Sequence, residues 1–249
     1  GRLAPDADPV EVLVCRYEDV SGSRAGPASL VGERVVTAGL DRVRHDLLLP
    51  ELLPGGTRAC TAMGGPVVPH LARLSYADGD LWLAATRDPN SCQDSGNGAF
   101  TTSAYLGEVL QQSFDAATWS SPPAPAAGSC ASSGSGRAGQ ERTLVPPGWS
   151  ALAVCRPSVD DQPPPAREVE RATAERVVAL LARVPTVPGS GGCSGPSRRT
   201  YDLLVSYPDG PPVQVRYAPG CEPPMRNGSL DATPSAAQGA ELEDLLRSR

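Results

Sequence analysis

A set of short motifs occurs twice along this chain in the same order, and that recurrence constrains the fold more than any other feature. Val12-Leu13-Val14-Cys15-Arg16 returns as Leu152-Ala153-Val154-Cys155-Arg156. Ser75-Tyr76-Ala77-Asp78-Gly79 returns as Ser206-Tyr207-Pro208-Asp209-Gly210. Cys60 and Cys92 bracket the first of these tyrosine motifs, and Cys193 and Cys221 bracket the second. Asn97-Gly98 and Asn227-Gly228 follow, then two Ser-led apolar stretches, Ser103 to Phe114 and Ser235 to Leu246. The landmarks define two modules, residues 10–116 and 149–247, joined by residues 117–148. Within the joining segment, Ser121 to Gly139 is nearly all Ser, Pro, Ala and Gly, a composition that reads as a flexible linker.

Periodicity suggests the elements of each module. Val10, Val12 and Val14 alternate as on a strand. Ala166 to Val184 carries an apolar stripe at helical spacing, stopped by Pro185, and Leu40 to Leu49, ended by Pro50, is its counterpart. Thr233 as N-cap and Pro234 as first helical residue open a last short helix. A three-residue turn, Pro208-Asp209-Gly210, pairs Tyr201 with Tyr217, Leu203 with Val215 and Val205 with Val213, all apolar on one face. The same register in the first copy pairs Leu74 with Trp82 and Ala72 with Ala84. The expected fold is α+β: two tandem pseudo-symmetric modules, each strand–helix–β-hairpin–helix, with a disulfide at the hairpin base.

In that register Cys60–Cys92 and Cys193–Cys221 are equivalent bridges at the open ends of the two hairpins. Each closes a loop worth roughly 3–4 kcal/mol in chain entropy. With aromatic residues only 4% of the chain, such small cores need the support. Of the seven cysteines, Cys15, Cys130 and Cys155 remain. They leave room for one further bridge, Cys15–Cys155 or Cys130–Cys155, with one thiol over. The spacing contains no Cys-x-x-Cys pair and there are only two histidines, so a metal site is not expected. Disulfides imply an oxidising, extracytoplasmic compartment. Gly1 opens a Pro- and Asp-rich segment that reads as a mature N-terminus, from which a signal or lipid-anchor sequence has been removed.

All 22 basic residues are Arg, yet the net charge is −6, which disfavours nucleic acid and anionic membrane as partners. No apolar run reaches the length of a membrane span. Motifs for a nucleophile elbow, a phosphate loop or a metal-binding His pair are absent, and no cofactor is expected. Asp78 and Asp209 recur, but in turns that want Asp-Gly for backbone reasons. Asp160, Asp161, Glu241, Glu243 and Asp244 read as solvated charges, His45 as a surface residue, and His70 as a residue preceding a strand with no repeat equivalent. Trp82 on the first hairpin reads first as a core residue beside Leu74 and second as an exposed binding anchor, and Arg198 and Arg199, in the loop after Cys193, read first as part of an ordinary solvated loop and second as an interaction site.

The combination of Val-Cys-Arg strand, helix, Cys, Tyr-x-Asp-Gly hairpin, Cys, Asn-Gly and helix resembles uncharacterised secreted or lipid-anchored proteins of actinobacteria. The helix leading into a cysteine-closed hairpin also faintly resembles the subtilisin-inhibitor family. That second resemblance implies a protease-binding loop directly after the first cysteine, at Thr61, Ala62, Met63 and Gly64, with Ser194 to Ser197 as its counterpart. The expectation is a non-catalytic extracellular or cell-envelope binding protein whose partner is a protein or envelope component. A secreted serine-protease inhibitor is the alternative, and an enzyme of unrecognised type stands third.

Overall fold

The computed structural model describes residues 2–21, 28–53, 65–88, 95–122, 136–155, 166–189, 192 and 200–247. The chain divides into two compact units, Gly1–Pro123 and Ala124–Arg249. The first unit runs β1 (Glu11–Tyr17), β2 (Leu30–Val36), a 3-10 turn (Leu40–Arg42), α1 (Val43–Leu48), β3 (Leu52–Leu53), β4 (Val68–Tyr76), β5 (Gly79–Arg87), β6 (Ser95–Gly96), β7 (Thr101–Thr102) and α2 (Tyr105–Ala116). The second runs β8 (Ala151–Cys155), β9 (Arg167–Glu168), α3 (Arg171–Leu181), β10 (Thr186–Pro188), β11 (Tyr201–Ser206), β12 (Val213–Tyr217), β13 (Met225–Arg226), β14 (Leu230–Ala232) and α4 (Ala236–Arg247).

Among the described residues, each unit builds its own antiparallel sheet of seven strands. The first has the order β2-β1-β4-β5-β6-β7-β3, and the second, strand for strand, β9-β8-β11-β12-β13-β14-β10. Register agrees as well as order. Val12 faces Leu74 and Val14 faces Ala72 in the first sheet, and Leu152 faces Val205 and Val154 faces Leu203 in the second. The strand–helix–hairpin–helix module expected from the sequence is corrected: each unit is a seven-stranded sheet carrying two short helices. All of the missing strands but one were hidden by their size; the exception is β2, seven residues long, where Gly32, Glu33 and Arg34 interrupt the apolar alternation. β3, β6, β7, β9 and β13 are two residues long and β10 and β14 three, below the run of about four over which alternation can be read.

The expectation of a Cys15–Cys155 bridge is also corrected. No bridge joins two of the described residues, and Cys15 is a buried free thiol, which removes a Cys15–Cys155 link. Cys60, Cys92, Cys130 and Cys193 lie outside the described residues. Cys155 and Cys221 are disulfide-bonded. Each core holds together through apolar burial. Val12, Val14, Ala72, Leu74, Leu83, Leu106, Val109 and Leu110 form the first core, where α2 packs against β1, β4 and β5. Leu152, Val154, Val177, Leu180, Leu203, Val215, Leu242 and Leu246 form the second. Trp119, Leu144 and Val145, which composition assigned to the joining segment, are core residues.

Two details of local structure also differ. The last helix is capped by Ser235, not Thr233. Its hydroxyl accepts from the Gln238 N–H, and the Gln238 side chain accepts from the Ser235 N–H in return, the reciprocal arrangement of a capping box. The first hairpin turns through two residues, Ala77 and Asp78, because Tyr76 pairs with Gly79. The second keeps the register expected of a three-residue turn and all three expected apolar pairs.

The recurring Asn-Gly motifs have a structural task. Asn97 Oδ1 accepts from the N–H groups of Ala99 and Phe100, and its amide donates to the Leu3 carbonyl at 2.9 Å. Asn227 Oδ1 accepts from Ser229 and Leu230, and its amide donates towards the Gln140, Thr143 and Leu144 carbonyls. Each Asn shapes a tight turn and ties down the arm that precedes its unit's first strand, with buried Leu3 or Leu144 as the anchor. In the second unit Arg137 adds a lock. Its guanidinium lies 3.8 Å over the Tyr207 ring and donates to the Asp209 carbonyl at 2.7 Å. In the first, buried Asp46 accepts from the Trp119 indole at 2.8 Å and from the Ser121 hydroxyl, which fastens the chain after α2 to α1.

Replacing Asn227 by Ala removes five hydrogen bonds from a buried site and is expected to cost about 2–4 kcal/mol in urea unfolding, more than Asn97→Ala. The helix glycines give a sharper contrast. A Cβ at Gly107 would sit 2.1 Å from the Thr86 carbonyl oxygen, whereas one at the equivalent Gly239 meets only the Tyr217 hydroxyl at 3.3 Å. Gly107→Ala is therefore expected to lose about 1–3 kcal/mol or more through overpacking. Gly239→Ala should stay within about 1 kcal/mol of the parent, helped by helix propensity.

Candidate binding face

The two-residue turn decides which side of the first sheet each β5 residue occupies. Directly opposed residues of an antiparallel pair share a face, so a slip of one residue exchanges the faces. Leu74 faces Leu81 and Ala72 faces Leu83, which places Leu83 in the core beneath α2. Trp82 falls opposite Arg73 on the other side and is 46% exposed. The expected pairs Leu74–Trp82 and Ala72–Ala84 are thereby corrected, and with them the placing of Trp82 beside Leu74.

On this outer face two rungs cross the sheet. One is Val35–Leu13–Arg73–Trp82, and the next is Glu33–Cys15–Leu71–Ala84. Val35 is 50% exposed. Arg73 is held at the middle of the face by Glu11 at 3.1 Å. Cys15 lies in the floor, and burial pushes its thiol up, with Glu33 adding to the effect, so it is a weak nucleophile. The matching rung of the second sheet is Glu168–Ala153–Leu204–Gln214. There the apolar residues sit in the middle and are buried, and the ends are polar. The first sheet reverses this, with a paired charge in the middle and bare apolar groups at the ends.

The inner face carries one polar corner. His70 does not precede β4 but lies within it, opposite Arg16 and directed at the core, and is 2% exposed. Its place in the second sheet is taken by Tyr201, which stacks on Tyr217. Neither imidazole nitrogen makes a hydrogen bond of normal geometry. Burial pushes the ring down to about 4; nearby Arg16 acts in the same direction, while the Val68 backbone, Gln111 and Asp115 partly oppose it. Gln111 is engaged with Asp115 at 2.8 Å. Arg16 and Arg34 both lie 5.8 Å from the centre of the Phe114 ring at the end of α2. These cations sit at a helix C-terminus, where positive charge stabilises the helix.

Of the other residues singled out in the sequence, His45 is exposed on α1. Asp78 is a turn residue, and Asp209 is held in its turn by Arg137. Glu241 and Glu243 pair with Arg176 and Arg247 at the surface. Arg198, Arg199, Thr61, Ala62, Met63, Gly64, Asp160 and Asp161 lie outside the described residues. Among the described residues no helix is long and apolar enough to cross a membrane. Nor do three His, Cys, Asp or Glu side chains among them gather to hold a metal ion. No family model, curated protein or solved structure matches the chain.

His70 predicts how stability responds to acid. Its folded-state pKa lies below the ordinary value near 6.5, so the unfolded chain binds the proton more readily. The contribution is complete above about pH 6.5, falls as pH drops towards 4 and levels off below, a change of up to about 3 kcal/mol. Urea midpoints measured between pH 7 and pH 4 should show this slope in the parent and lose most of it in His70→Leu.

Proposed function

We propose that this chain is a non-catalytic binding protein of the extracytoplasmic space, and that it engages a protein partner of the cell envelope through the outer face of its first sheet. The observation that carries this reading is the half-exposed Trp82 at one end of a rung that ends in half-exposed Val35 at the other. An exposed aromatic anchor beside a fixed arginine is a composition favoured at the centre of protein interfaces. The contrast with the second sheet, where the same rung ends in Glu168 and Gln214, supports a role particular to the first unit. The extracytoplasmic placement draws on the oxidised state of Cys155 and Cys221.

Affinity capture from cell-envelope extracts tests the proposal, with the full chain and its Trp82→Ala variant as paired baits. Trp82 is exposed, so its removal should move the unfolding midpoint little, by about 0.5 kcal/mol or less. The partner retained by the parent should bind the variant with at least about 2 kcal/mol less free energy, roughly thirtyfold weaker. Equal retention by both baits, or retention of nothing from wall, membrane and secreted fractions, would end this reading.

A further inference from the structure

The outer face ends at an edge strand. β2 is the terminal strand of the first sheet, paired with β1 on one side, and no described strand pairs its other side. It is seven residues long, whereas its equivalent β9 has two. Leu30, Val31 and Val35 are at least half exposed along it. A long edge of this kind presents unpaired N–H and C=O groups and is a template for strand addition.

Two charges at the middle of β2 state what the added strand must carry. Glu33 points to the outer face, opposite Cys15, and Arg34 points to the inner face, opposite Val14. Neither forms an ion pair among the described residues. Among the described residues Arg34 rests on the Phe114 ring. Pairing with a second copy of β2 is poorly served by these charges. An antiparallel self-pair centred on Glu33 sets that carboxylate opposite its own copy, and one centred on Arg34 does the same for the guanidinium. Like charges directly opposed across strands are destabilising.

We infer that the free edge of β2 accepts an extended segment of a partner protein as an added antiparallel strand, chosen by a basic residue opposite Glu33 and an acidic residue opposite Arg34. The flanking positions of that strand take β-branched residues, which extend the Val35–Leu13 rung on the outer face. This rests on the binding role proposed above and names the form and charge pattern of the partner.

The probe is a synthetic peptide, Thr-Val-Ile-Glu-Lys-Thr-Val-Thr, titrated into the full chain by NMR, beside a control in which Glu and Lys exchange places. In the antiparallel register its Lys meets Glu33 and its Glu meets Arg34. The matched peptide should bind about tenfold more tightly than the control and slow amide exchange within residues 30–36. The double variant Glu33→Arg with Arg34→Glu should reverse that preference, a result that a damaged fold could not produce. Equal binding of both peptides, binding of neither, or protection away from β2 overturns the inference. So does concentration-dependent dimerisation that protects residues 30–36 and excludes the peptide, since the occupant is then a second copy. If envelope capture depends on Trp82 while the peptides fail, strand addition falls and the binding role of the face stands. If Trp82→Ala leaves capture intact while the matched peptide binds, the face reading falls on its own.

Discussion

The register between β4 and β5 is the constraint from which the functional surface of this protein follows. With Tyr76 opposite Gly79, each later residue of β5 is committed to one side of the sheet. Leu83 and Ala85 go to the core and Trp82 to solvent. One further residue in the turn would bury the tryptophan and expose the leucine, a change of several kcal/mol in apolar burial. The core therefore holds Trp82 outside, because the leucines on either side of it are what the helix α2 packs against. The exposure of an aromatic side chain is a consequence of packing on the other side of the sheet.

The two units show how one topology can be kept while its faces are rebuilt. Strand order, β1–β4 register and the Asn-anchored turns are the same in both. The Asn clamps matter because they join the far side of the sheet to the arm that enters it, which ties together segments about ninety residues apart in sequence. Differences collect elsewhere. His70 becomes Tyr201, the close helix approach at Gly107 relaxes at Gly239, and the long edge strand β2 shrinks to β9. Most of these replacements alter a surface or a helix contact and leave the central strands β1, β4, β8 and β11 in place.

Much of this architecture was legible in the chain, for identifiable reasons. Strong alternation at Val12 and Val14, and at Leu203, Val205, Val213 and Val215, predicted strands and one full hairpin register. The stripe through Val177, Leu180 and Leu181 predicted α3, although its first turn starts later, at Arg171, after a short strand. The first hairpin misled because Leu81-Trp82-Leu83 is apolar on both sides, so period alone cannot choose the register. Asn97 and Asn227 were visible as landmarks, but their partners at Leu3 and Leu144 lie too far along the chain for spacing to reveal them. His70 gave no signal, since a single histidine among Leu and Ala looks the same inside or outside a sheet.

By itself the sequence determined that motifs recur, where the first strand and the hairpin of each unit and the main helices lie, and that Asn-Gly turns follow each hairpin, because these depend on residues close together in the chain. Only the tertiary structure decided that seven strands make each sheet among the described residues, that Trp82 faces outward and that no described strand covers the far edge of β2. Those outcomes are set by which segments meet across the fold, and by which side of a strand the packed helix takes.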